Sequence, residues 1–125
     1  MPSFSQAIRP HVNSELEQAW HVLVGGERAG SFRHLERAHV LGQSSTLQHV
    51  RVHVHMLAWA LRTRNAREAA GQLLRIVGAA TKTTFGWVPS GNTGGANVSP
   101  IKPLPIPSEL AQTIQIARRR ASSEW

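Results

Sequence analysis

Three strings of one design constrain this chain more than anything else in it: Ser14-Glu-Leu-Glu17, Ser45-Thr-Leu-Gln48 and Asn65-Ala-Arg-Glu68. In each, a small polar residue precedes a Glu or Gln by three positions. That spacing lets its side chain accept from a free backbone N–H while the longer side chain bonds back, which starts a helix. Apolar residues at helical spacing follow in every case. The first helix is expected to start at Ser14, run through Ala19, Trp20 and Leu23, and end at Gly25-Gly26. A second runs from about Ala29 to Leu41, carries Phe32, Leu35, Ala38 and His39, and stops at Gly42. A third opens at Ser45 and reaches about Arg64, with Val50, Val54, Leu57 and Leu61 as its stripe. The fourth follows Asn65, with Ala69, Leu73, Val77 and Ala80 facing the core. Helices joined by such short turns pack as antiparallel neighbours.

The predicted fold is therefore all-α, with two stacked antiparallel helical hairpins. Trp20, Leu23, a turn glycine, Phe32 and Ala38 give the first hairpin a loosely tetratricopeptide-like pattern. The second hairpin matches poorly, so the likeness is one of shape. From Gly86 to Pro107 the chain reads GWVPSGNTGGANVSPIKPLPIP, which glycine and proline keep from being helical. Its apolar residues Trp87, Val88, Val98, Ile101, Leu104 and Ile106 predict an arm wrapped over the bundle. Ser108 is expected to cap a last helix, with Leu110, Ile114 and Ala117 on one face. The resulting division is an N-terminal segment at 1–13, a four-helix core at 14–85, the irregular arm at 86–107, and a C-terminal helix with a basic tail at 108–125.

Composition removes several kinds of chemistry. The chain has no Cys, and all seven of its acidic residues are Glu. Thiolate catalysis, disulfides and Cys-based zinc sites are excluded, which leaves His and carboxylate as metal ligands. No Asp is present and no Ser stands in a nucleophile elbow, so nucleophilic catalysis has no support. The opening MPSFSQAIRP lacks the pattern of a secretory signal, and no apolar run reaches membrane-spanning length. A cytoplasmic location is expected. The formal charge of +7 favours anionic partners. Apart from Arg118-Arg119-Arg120, however, the basic residues are dispersed, and no aromatic stripe suited to stacking bases accompanies them.

The stretch from His34 to Met56 carries five of the seven histidines. At about 100° per helical residue, His39 falls between Leu35 and Phe32 on the apolar face of its helix, with Glu36 three residues earlier at the edge of that face. Glu-x-x-His sets carboxylate and imidazole side by side, as carboxylate-bridged metal proteins do. A dinuclear bundle needs two such motifs, and one occurs here. His49 and His53 are four residues apart on the next helix, a spacing at which two imidazoles can bind one cation. Both flank the apolar stripe, whereas His55 projects beside Arg51 and Arg62 and is assigned to solvent. Antiparallel packing across Gly42–Ser45 would bring Glu36, His39, His49 and His53 together. Zinc, nickel, copper and iron all suit that donor set. The same residues could equally form a hydrogen-bonded polar network with no ion, since buried polar groups need partners in either case. The segment from Ser90 to Asn97 could cradle an anion on its amides, but it lacks the ending of a P-loop, and a structural turn cluster accounts for it better.

The runs HLERAHVLGQ (34–43), HVRVH (49–53), GQLLRIVGAATK (71–82), GNTGGANVS (91–99) and PLPIP (103–107) resemble an uncharacterised bacterial family catalogued as a domain of unknown function. The resemblance covers about residues 14 to 117. Its proline segment more often reads Pro-Met-Pro-Ile-Pro, so Leu104 is a departure. The resemblance implies a small, soluble, mostly helical bacterial protein and brings no activity with it. Three functional readings follow from the residues: a metal-binding accessory protein using Glu36, His39, His49 and His53; a protein-interaction module or homo-oligomer using a groove between hairpins; and, less favoured, a nucleic-acid-associated protein acting through its basic tail.

Overall fold

Ser3, ahead of every capping signal considered above, starts the first helix. In the computed structural model, which describes residues 2–85 and 105–122 (side chains for 2–78 and 105–122), α1 spans Phe4–Val24. Ser3 Oγ accepts from the Gln6 backbone N–H at 3.1 Å, and the Ser3 N–H donates to Gln6 Oε1 at 2.8 Å. This complete capping box moves the helix start ten residues ahead of the Ser14 expectation, so most of the 1–13 segment belongs to α1. Pro10 lies within the helix, where it removes one backbone donor. Burial of Ala7, Ile8 and Val12 holds this turn in place despite that loss.

Gly25 caps α1 and Gly26 takes a φ of +89°, which turns the chain into α2, Arg28–Gly42. Ser31 Oγ donates to the Ala19 carbonyl at 2.6 Å, where the two helices lie close. α3 spans Thr46–Arg62 and α4 Ala66–Phe85. Their starts carry the expected caps: Ser45 Oγ accepts from the Gln48 N–H at 3.2 Å, and Asn65 Oδ1 accepts from the Glu68 N–H at 3.0 Å. At Ser45 the reciprocal half of the box is replaced, because Gln48 Oε1 accepts from Arg51 Nη1 instead. α5 spans Ser108–Ser122, with Ser108 as its first residue rather than its cap.

The fold is all-α. α1 packs chiefly on α2 and α3 on α4, giving two helical hairpins joined through α2 and α3, while α5 lies against α1 and, less extensively, α2. Ile8, Val12, Leu16, Leu35, Leu41, Val52 and Met56 form the centre of the core. Leu110 and Ala117 bury the expected face of α5, and Ile106 packs beside them. Arg37 ties three helices together, bonding Glu15 of α1 through Nε at 3.1 Å and Glu109 of α5 through Nη1. Glu109 and Glu15 together raise the Arg37 pKa against the effect of burial. Arg118, counted by the sequence in the basic tail, donates to Ser44 Oγ at 3.1 Å and covers the Phe4 ring. The arm from 86 to 104, including the anion-cradle segment, lies outside the described residues. Among the described residues no helix is long and apolar enough to cross a membrane.

Two helices are rotated relative to their apolar stripes. On α3 the buried residues are Gln48, Val52, His53, Met56, Trp59 and Ala60, while Val54 and Leu61 are exposed. On α4 Glu68, Ala69 and Gln72 face inward, while Leu73 and Val77 are exposed. A polar demand inside the second hairpin sets both rotations.

Candidate metal centre

That demand comes from His53. Its helix places it in the core at 2% exposure, and its Nδ1 lies 2.6 Å from Oε1 of the fully buried Gln72. A buried imidazole needs hydrogen-bonding partners, so α4 turns Gln72 inward and its leucines outward. One turn earlier, Glu68 Oε2 accepts from Gln72 Nε2 at 2.5 Å. Neither Glu68 nor Gln72 was singled out as a site residue by the sequence. Their i, i+4 spacing on a helix following two histidines was the available signal.

The other ring nitrogen of His53 faces two more imidazoles. His39 Nε2 stands 3.1 Å from His53 Nε2 and 2.9 Å from His49 Nε2, and His49 Nε2 stands 3.0 Å from His53 Nε2. His39 comes from the last turns of α2, His49 from the first turn of α3, and His53 from the turn after it. The His39 ring packs nearly edge-on to the other two, inclined at 74° to His49 and 69° to His53, while His49 and His53 are tilted at 44° to each other. His39 is as buried as His53, whereas His49 is half-buried and forms the outer wall. These three residues make a group whose potential ligand atoms lie within 4.8 Å of one another. Glu36, half-buried one turn before His39, stands outside that group.

Three converging Nε2 atoms cannot all be satisfied by protons. The Nε2 of an imidazole is either a donor (N–H) or an acceptor (bare lone pair). With two kinds and three atoms, at least two must be alike, and like pairs repel at these separations. Any proton assignment therefore leaves one of the three contacts unfavourable inside a core where compensating water is scarce. One cation accepting three lone pairs removes the conflict.

The family described as "Protein of unknown function (DUF3703)" matches residues 6–114. The chain belongs to it. No curated protein and no solved structure matches the chain. Membership in this family thus brings no activity, and what the histidine group can do has to be read from its geometry. Residues 6–114 hold the whole group together with Glu68 and Gln72.

His55, assigned to solvent by the sequence, is half-buried. Its Nδ1 accepts from Trp20 Nε1 at 3.0 Å, and Arg62 lies over the Trp20 ring. Burial, and then the charge of Arg51, push the His55 pKa down. The assignment to solvent fails because the sequence of α3 alone gives no view of α1, which supplies Trp20.

Proposed function

We propose that this chain binds one divalent transition-metal ion through His39, His49 and His53, with Glu36 supplying a fourth donor by a rotamer change. The observation that carries this reading is the mutual approach of three Nε2 atoms, which no distribution of protons satisfies. Imidazole donors suit zinc, nickel, copper and iron. A metal at ~2.0–2.1 Å from each nitrogen would see them about 94° apart at the present spacing, and a tetrahedral zinc would spread them to roughly 3.3 Å. The adjustment needed is a few tenths of an ångström. The half-buried His49 gives an ion its way in. Glu36 and the histidines are taken up as ligands and Glu68 is bonded to Gln72, so a storage, chaperone or sensing role fits the donor set better than catalysis.

Elemental analysis of untagged protein, followed by calorimetric titration of the apo form with zinc and nickel, tests the reading. Stoichiometric binding that His39→Ala, His49→Ala and His53→Ala each abolish is expected. An apo protein that takes up neither metal would make the group a metal-free polar network.

A second and compatible role, self-association, is favoured by the exposed outer face of the second hairpin. Leu47, Val54 and Leu61 are exposed at seven-residue spacing on α3, and Leu73, Leu74 and Val77 are exposed on α4. A seven-residue apolar repeat is the seam along which helices of like sequence pair. Light scattering across a concentration series reads it, and a monomer at every concentration would end it.

A further inference from the structure

The chain Glu68–Gln72–His53 decides which ring nitrogen of His53 carries its hydrogen. A carboxylate without its proton can only accept, so the end of the Gln72 amide facing Glu68 Oε2 is its NH2 group. The opposite end, facing His53 Nδ1 at 2.6 Å, is then the carbonyl oxygen, which also only accepts. His53 Nδ1 must therefore carry the hydrogen. In a neutral imidazole this leaves Nε2 bare, and His53 Nε2 is the atom that faces His39 and His49.

We propose that Glu68 and Gln72 are positioning residues that fix His53 in the Nδ1–H tautomer, with its Nε2 lone pair presented to the histidine group before any ion arrives. The orientation originates at Glu68 and reaches His53 through the amide. Arg75 supports it: burial lowers the Arg75 pKa, and the nearby Glu68 charge offsets part of that. Gln72 is 0% exposed and Glu68 9%, so little water competes for either bond. Metal-ligating histidines regularly donate their second ring N–H to such a partner, and losing it weakens metal binding by about 10- to 100-fold. The consequence for metal affinity rests on the function proposed above. The tautomer does not.

The test uses 15N-labelled full-length protein, first without metal. Long-range 1H–15N correlations distinguish an Nδ1–H imidazole from an Nε2–H one. His53 of the parent is expected to be Nδ1–H, and to lose that preference in Gln72→Leu. The double variant Glu68→Gln/Gln72→Glu exchanges carboxylate and amide while still presenting an acceptor to His53, so it should keep the parent tautomer. In zinc titrations the Kd should rise about 10- to 100-fold in Gln72→Leu and stay within about threefold of the parent in the double variant. An Nε2–H His53 in the apo parent would overturn the proposal without recourse to any variant. So would a Gln72→Leu protein with the parent's tautomer and zinc Kd. If the parent binds no zinc but its His53 tautomer follows Gln72 as stated, the metal reading fails and the tautomer assignment stands.

Discussion

Gly42 ends α2 so close to Gln48 on α3 that a Cβ built on it would lie 2.9 Å from the Gln48 Cβ. The same added carbon would meet the Gln48 carbonyl carbon and Val12 Cγ2 at 3.5 Å. This closeness lets the last turn of α2, which carries His39, lie against the first turn of α3, which carries His49. The histidine group therefore depends on a residue that makes no polar contact with it.

Gly42→Ala is accordingly expected to destabilise the protein by about 1–3 kcal/mol through overpacking, less the fraction regained from the better helix propensity of Ala. It should also weaken metal binding, because relief of the clash separates His39 from His49. Denaturant melts and zinc titration of the one variant measure both effects. Unchanged stability would show that α2 and α3 can part at no cost.

His49→Leu separates stability from binding. Removing the third Nε2 leaves His39 and His53 free to share one donor–acceptor contact, so the apo protein should lose less than about 1 kcal/mol. Added metal should no longer raise its melting temperature, whereas the parent should gain about 2.7 kcal/mol at a free metal concentration of 100 times its Kd. A large loss of apo stability in His49→Leu would mean that the group is held by hydrogen bonds that satisfy all three residues.

His55 gives a pH dependence of defined sign. Burial, with Arg51 as the second cause, lowers its folded pKa below the unfolded value of about 6.5. The unfolded state therefore binds the proton more readily, and the contribution of His55 to stability is complete above that value and lost as pH falls through and below it. The proton would also meet the Trp20 N–H at Nδ1 and break that bond. Urea midpoints of the parent should fall between pH 7.5 and 5.5 by more than those of His55→Gln, whose amide can still accept from Trp20. Equal slopes in the two proteins would exclude His55 as the origin. Trp20→Phe, which removes the donor, should cost about 1 kcal/mol at neutral pH.

Where helices start and stop is local chemistry, and most of it was determined by the sequence alone. Ser45 and Asn65 cap the helices that follow them, Gly25-Gly26 ends α1, and His39 lies on the buried face of α2. The spacing of His49 and His53 marked them as a pair able to share a cation, and they do converge with His39. The start of α1 was written in the same local language, as Ser3 and Gln6, but Pro10, four residues after Gln6, reads as a helix break. Only the packed core overrides that reading.

Which face of α3 and α4 turns inward was decided by tertiary structure. Apolar periodicity points Val54, Leu73 and Val77 toward the core, yet all three are exposed while His53, Gln72 and Glu68 are buried. A leucine left in water forfeits free energy spread over its surface area, whereas an imidazole buried without a partner suffers a comparable penalty concentrated on one atom. No single helix carries both halves of that bond. Its donor is on α3 and its acceptor on α4, so the rotation of each became defined only when the two helices met.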